Sequence, residues 1–163
     1  FPAYTAGRDY SLRTARSLRM LHEDDKVTFE ELVADKHSTR LELADRLLPD
    51  LLTAAAGTPA ARVLAEWDRS TENTSRGAIL FEAFARRFLG PALTSRANFA
   101  VALDPARPFD TPRGLKDPAA ARRMLEEAAA EVERNYGALD AAWGDFNRLR
   151  RDQTDLPANG ASG

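Results

Sequence analysis

Helix-start signals recur along this chain and constrain its fold more than any other feature. Two of them have the spacing of a capping box, in which a hydroxyl accepts a hydrogen bond from the third helical amide and a carboxylate bonds back to the cap. Two others place a capping residue directly before a proline, which suits the first position of a helix. The four signals are Thr28 with Glu31, Thr39 with Glu42, Thr58 with Pro59, and Asp117 with Pro118. We therefore expect a mainly α-helical chain with helices that begin at these residues.

Apolar residues recur at helical spacing between these signals. The stripe after the second capping box contains Pro49, which predicts a kink in that helix or its division in two. The strongest apolar face follows Ser75, the predicted cap of its helix. Further helices are predicted over about 10–22 and 117–136, and Asp140 is the predicted cap of a short last helix.

Helical periodicity fails between residues 92 and 116, where three prolines fall within eight positions. We expect a long surface excursion there, with one short helix at about 96–103. No segment before the C-terminal end has the alternating pattern of a strand. One domain is therefore predicted, with a helical half (1–91), the excursion (92–116), a second helical half (117–150) and a terminal loop (151–163).

The composition is that of an ordinary globular domain and does not indicate binding to a highly charged partner. With 163 residues and a formal net charge of -2, the chain is long enough for one core and has no global attraction to nucleic acid or to an anionic membrane. No apolar run approaches the roughly 20 residues of a bilayer span. Arginine supplies 20 of the 23 basic residues, a bias that a GC-rich coding sequence would produce. Clusters of arginine are therefore weak functional signals in this chain.

The candidate metal ligands and nucleophiles have plainer structural explanations. Consecutive residues 22–25 (His-Glu-Asp-Asp) cannot face one point on a helix, so a solvated acidic helix end is favoured over a hard-cation site. The absence of cysteine excludes thiolate ligands. The neighbours His37 and Ser38 fit a capping region better than a nucleophilic pair. Phe1 cannot act as an N-terminal nucleophile.

A basic cluster near the C-terminal end has two interpretations. Arg148, Arg150 and Arg151 lie close in sequence to Trp143 and Phe146, a mixture that single-strand-binding proteins use. The sequence pI of about 5.8 favours a solvated or ion-paired face instead. Binding to nucleic acid is therefore not expected.

Short motifs along nearly the whole chain carry a resemblance. They are SLRTARSLRML at 11–21, TFEEL at 28–32, KHSTRLELADR at 36–46, SRGAILFEA at 75–83 and PFDTPRGL at 108–115. In this order they resemble the penicillin acylase family of N-terminal-nucleophile hydrolases, and most closely its acyl-homoserine-lactone, aculeacin and cephalosporin acylase branch. None of the motifs is a catalytic signature by itself.

The resemblance implies a precursor that cuts itself into an α and a β chain, with the nucleophilic serine at the start of the β chain. This chain resembles the helical part of the β chain that follows the oxyanion asparagine. It would pack on an αββα core outside these residues and would be inactive alone. The implied partners are the α chain, the rest of the β chain and a small N-acylated substrate, such as an acyl-homoserine lactone, a lipopeptide or a β-lactam. The resemblance implies export to the periplasm or the medium, and it implies no cofactor or metal.

One functional residue carries over from the family. By its position in SLRTA, Arg13 matches an arginine that supports the oxyanion asparagine and the bound substrate. A guanidinium suits that task because its donors have a fixed geometry. The alternative is an ion pair with an acidic neighbour such as Asp9, one helical turn away.

Two further interpretations of the whole chain stay open at this point. A non-catalytic helical domain that binds another protein fits the helical pattern as well as a part of an enzyme does. A nucleic-acid role ranks third, and salt-dependent binding to single strands would raise it.

Overall fold

The computed structural model describes residues 11–22, 26–90 and 95–160, and these are mainly helical, as predicted. Asp9 and the acidic residues at 23–25 lie outside the described residues. In chain order the elements are α1 (Leu12–His22), α2 (Phe29–His37), α3 (Glu42–Ala54), α4 (Pro59–Glu66), α5 (Ala78–Leu89), β1 (Phe99–Val101), β2 (Arg113–Leu115), α6 (Pro118–Tyr136), α7 (Trp143–Phe146), β3 (Arg148–Arg151) and β4 (Thr154–Pro157). None of the described helices is both long and apolar enough to cross a bilayer.

The core lies between α3, α5 and α6. The helix α6 packs along α5 and also against α3. On α5, the buried rings of Phe81, Phe84 and Phe88 follow one another with centroids 5.9 and 5.6 Å apart. Each fully buried side chain of this size stabilises the fold by about 1.5–3 kcal/mol. At the edge of the contact between α5 and α6, the Arg87 guanidinium of α5 donates to Glu131 Oε2 of α6 at 2.6 Å.

The first predicted capping box is present, and the proline-linked caps are as well. Thr28 Oγ1 accepts from the Glu31 amide at 3.2 Å, and the Glu31 carboxylate accepts from the Thr28 amide at 2.8 Å. Thr58 and Asp117 each accept from the amide three residues on, ahead of their prolines. Pro49 lies within α3 but does not divide it, since the helix continues to Ala54.

The other three predicted caps are wrong because their side chains have tertiary partners. Thr39 Oγ1 donates to Glu72 at 2.7 Å, and α3 begins after Leu41 without a side-chain cap. Ser75 bonds to Trp67 and Asp68, so the cap of α5 is Gly77.

At the last helix, Ala142 caps α7 without a side-chain bond, and Asp140 has no part in the cap. The Asp140 carboxylate instead lies 3.4 Å from the Arg76 guanidinium.

Residues 96–103 do not form the predicted helix, and strands occur where none was expected. β1 pairs with β2 in antiparallel register, Phe99 opposite Leu115, because both side chains are buried against the core. The Phe99 ring meets the Phe88 ring edge-on at 5.1 Å. The predicted terminal loop also contains a strand, since β4 pairs with β3.

Candidate functional site

A cleft of about 840 Å³ opens between α1, α3 and the segment that joins β1 to β2. Both sides of the cleft carry charge, and ion pairs join its walls. The charged lining residues are Arg16, Arg19, Arg40, Glu42, Asp45, Arg46, Asp50, Asp110 and Arg113.

Glu42 lies at the centre of this arrangement. Its side chain is 2% exposed, and its Oε1 atom accepts three hydrogen bonds. Two come from Arg46, whose Nε and Nη2 atoms lie 3.0 and 2.9 Å away, and one comes from Arg19 Nη2 at 2.9 Å. A buried carboxylate without partners would cost several kcal/mol, so these cations are a condition for its burial. Its Oε2 atom is buried and accepts no hydrogen bond from the described residues.

Arg46 fastens the segment between β1 and β2 to α3. Besides bonding to Glu42, its guanidinium donates to the carbonyl oxygens of Pro108, Thr111 and Pro112, with distances of 3.0 Å to Pro108 and 3.1 Å to Pro112. The rigid fork of an arginine can bond several acceptors in one plane, which a lysine cannot do. One side chain thus fixes the loop at residues 108–112.

The same loop contacts α1. Arg19 Nη2 donates to the carbonyl oxygen of Phe109, and the guanidinium carbon lies 5.9 Å from the centre of the Phe109 ring. The His22 ring stacks on that ring with centroids 5.3 Å apart. α1, α3 and the loop are therefore joined around Arg19 and Glu42.

A second ion-pair group stands at the rim of the cleft. Asp45 accepts from Arg40 Nε and Nη2 at 2.9 and 2.7 Å, and from Arg69 Nη1 at 2.7 Å. Burial acts to raise the pKa of the Asp45 carboxyl, but the bonds from the two arginines outweigh it and hold that pKa below its usual value. The same bond raises the pKa of Arg40.

Arg13 does not line this cleft. It lies on an exposed part of α1, and its expected role in supporting an oxyanion stays a prediction. Arg16 and Arg19, on the same helix, do face the cleft.

The remaining candidate residues are not brought together. Among the described residues, no group of three or more histidine, aspartate and glutamate side chains is arranged to hold a metal ion. Ser38 is the C-cap of α2, where its amide donates to Asp35. Arg148 bonds to Asp155 Oδ1 at 2.6 Å, which gives that basic cluster an ion-paired face.

Glu42 and Arg46 are not among the site residues that the sequence predicts. The arginine bias makes Arg46 uninformative by itself, and the spacing from Thr39 predicts a capping role for Glu42. Their i, i+4 spacing within an amphipathic stripe was the available signal, since such a pair shares one helix face.

Comparison with known proteins gives two findings. A family model described as penicillin amidase matches residues 1–163. Two curated relatives are acyl-homoserine lactone acylases named PvdQ, from Pseudomonas fluorescens and from Pseudomonas syringae pv. syringae. Each is 30% identical over 158 aligned residues, which cover 88% of this chain and 19% and 20% of the respective relatives. The chain thus spans about a fifth of the length of the curated relatives it matches.

Proposed function

This chain belongs to the penicillin amidase family, and from that premise we propose that it is part of a self-processing acylase that hydrolyses the amide bond of N-acylated substrates. The observation that carries the proposal is the match of the family model over the full chain. Within such an enzyme these residues are the helical part of the β chain. The nucleophilic serine and the oxyanion asparagine belong to other parts of the protein, so the chain alone is inactive.

Acyl-homoserine lactones are the first substrate class to test. Both curated relatives carry that activity in their names, at 30% identity to this chain. Lipopeptides and β-lactams are the further candidates that the family resemblance implies. Export to the periplasm or the medium belongs to the same proposal, as does the absence of any cofactor.

The surface of α2 supports a place within a larger protein. This helix buries none of its residues, and Phe29, Leu32 and Val33 are 75%, 50% and 40% exposed. An apolar patch of this kind normally meets another protein surface. We propose that polypeptide of the same precursor, including its α chain and αββα core, covers this face.

Arg13 is the residue of this chain that we assign to the reaction. In the proposal its guanidinium supports the oxyanion asparagine and the bound substrate, which its exposed place on α1 permits. Loss of one supporting donor in such a site typically costs about 2–4 kcal/mol in the transition state.

The test uses the complete precursor. After maturation, release of homoserine lactone from N-acyl-homoserine lactones of several chain lengths is measured, beside lipopeptide and penicillin substrates. The matched control replaces the serine at the start of the β chain by alanine. Hydrolysis of none of these amides by a correctly processed enzyme would contradict the proposal.

The alternative of a self-sufficient binding module has its own discriminating measurement. An isolated 163-residue chain that is monomeric and melts cooperatively favours the module. Aggregation that co-expression of the neighbouring segments relieves favours the acylase.

A further inference from the structure

We propose that Glu42 is a positioning residue that fixes the orientation of α1 and, with it, the guanidinium of Arg13. The inference rests on the proposed function, in which Arg13 supports the oxyanion site. It assigns a role in turnover to a carboxylate that does not itself touch the substrate.

Apolar packing alone holds α1 weakly. Ala15 is the only fully buried residue of this helix, while Leu18 and Met20 are half-buried. A single fully buried side chain, and a small one, gives little resistance to rotation of α1 about its own axis. Directional bonds must therefore set that rotation.

Directional bonds from Arg19 of α1 reach Glu42 and the loop that Arg46 holds. Arg19 donates to Glu42 Oε1 and to the Phe109 carbonyl, and both acceptors are held in turn by Arg46, directly or through the loop that it fastens. Charge-assisted hydrogen bonds are short and directional, so they restrain angle as well as distance. Glu42 Oε1 thus accepts from α1 through Arg19 and from Arg46, the side chain that holds the loop.

A change at Glu42 reaches Arg13 through the helix itself. Arg13 precedes Arg19 by six positions, about 9 Å along a helix that rises 1.5 Å per residue. Rotation or tilt of α1 at Arg19 displaces Arg13 by a comparable amount. A misplacement of about 1 Å in a catalytic arrangement can cost about 100-fold in rate.

The experiment replaces Glu42 by glutamine in the complete processed enzyme. We expect kcat to fall about 10- to 100-fold while KM changes less than about threefold, because transition-state support is lost and substrate contacts remain. Glu126→Gln is the matched control, since Glu126 accepts from Arg122 at 2.8 Å on the exposed side of α6. Its kcat and KM are expected to equal those of the wild type.

A double-mutant cycle separates positioning from a general loss of structure. If Glu42 acts through Arg13, the Arg13→Ala/Glu42→Gln double variant should be no slower than the slower single variant. Arg19→Gln removes the bonds from α1 to Glu42 and to the Phe109 carbonyl and leaves Glu42 paired with Arg46. It should give the same loss of kcat and the same non-additivity, and it replaces Glu42→Gln in the cycle if that variant does not mature.

The possible outcomes test the positioning role of Glu42, the assignment of Arg13 and the proposed function separately. The positioning role alone is overturned if the rate losses of the two single variants multiply in the double variant. It is also overturned if Glu42→Gln and Arg19→Gln keep the wild-type kcat while Arg13→Ala is slowed. Wild-type kcat in Arg13→Ala overturns the Arg13 assignment and the positioning role together. A wild-type enzyme that hydrolyses no N-acyl amide overturns the proposed function.

Discussion

A Cβ atom at position 77 would lie 2.8 Å from the Cβ of Trp67, so the approach of these two residues admits only glycine. Gly77 caps α5 with a φ of 110°, a conformation that side chains rarely adopt. The Trp67 ring packs on Phe81 with centroids 5.0 Å apart, and its Nε1 donates to Ser75 Oγ at 2.9 Å. The start of α5 is therefore set by tryptophan packing rather than by a side-chain cap.

Gly77→Ala should lower the free energy of unfolding by about 2–4 kcal/mol. The left-handed backbone contributes about 1–2 kcal/mol of this, and the clash with Trp67 contributes the rest. Gly57→Ala is the control, because its φ is 83° but nothing lies within 4 Å of the added Cβ. Urea unfolding of both variants measures the difference, and equal losses would show that contact with Trp67 is not restrictive.

Local signals in the sequence predicted the parts of the fold that local interactions determine. Thr28 and Glu31 bond to each other and, in the part of the chain that the structure describes, to no distant group, and their capping box is present. Thr39 and Ser75 have the same chemistry, but Glu72 and Trp67 compete for their hydroxyls. Those competitors are 33 and eight residues away, so no local pattern could identify them.

The strands and the cleft depend on distant residues in the same way. Three-residue strands such as β1 are too short for a detectable alternation, and they form because Phe99 and Leu115 reach the core together. Arg46 meets acceptors 62 to 66 residues further along the chain. The i, i+4 relation of Arg46 to Glu42 was visible in the sequence, whereas the loop carbonyls were not.

Asp45→Asn should destabilise the fold near neutral pH and have little effect in acid. Bonds from Arg40 and Arg69 hold the pKa of Asp45 below its usual value despite its burial, so the folded state favours the ionised form. That contribution is fully present above the ordinary aspartate pKa of about 3.9 and is lost as the pH falls through the lowered folded value. Urea unfolding of both proteins from pH 7 to pH 2 should show the two free energies converging.

Asp140→Asn is the control for this pH dependence. Asp140 is half exposed and lies 3.4 Å from Arg76, so its exchange should change the unfolding free energy little at any pH. A difference between wild type and Asp45→Asn that stays constant from pH 7 to pH 2 would contradict the assigned role of the Asp45 charge.

Arg46→Ala should lower the free energy of unfolding by about 3–5 kcal/mol, because it leaves the Glu42 carboxylate buried with one cation fewer. Arg122→Ala breaks another glutamate–arginine pair at i, i+4 spacing, but one in which both side chains are about half exposed. Its expected cost is about 0.3–0.5 kcal/mol. Chemical unfolding of the two variants provides the comparison, and a cost for Arg46→Ala as small as that of Arg122→Ala would show that the buried pair does not hold the fold.

The contrast between Phe84 and Phe29 tests what covers α2. Phe84 is fully buried between α5 and its neighbours, so Phe84→Ala should cost about 3–5 kcal/mol. Phe29 is 75% exposed in this segment, and if no other polypeptide covers it, Phe29→Ala should change the free energy of unfolding by no more than about 0.5 kcal/mol.

In the complete enzyme the expectation for Phe29 changes. If polypeptide of the same precursor covers α2, the Phe29 ring is buried there, and Phe29→Ala should cost about 1.5–3 kcal/mol. Thermal melting of the processed enzyme, with and without each of the two exchanges, measures these costs. A silent Phe29→Ala exchange beside a destabilising Phe84→Ala exchange would mean that the apolar face of α2 stays open in the assembled protein, which contradicts the proposed packing of this segment.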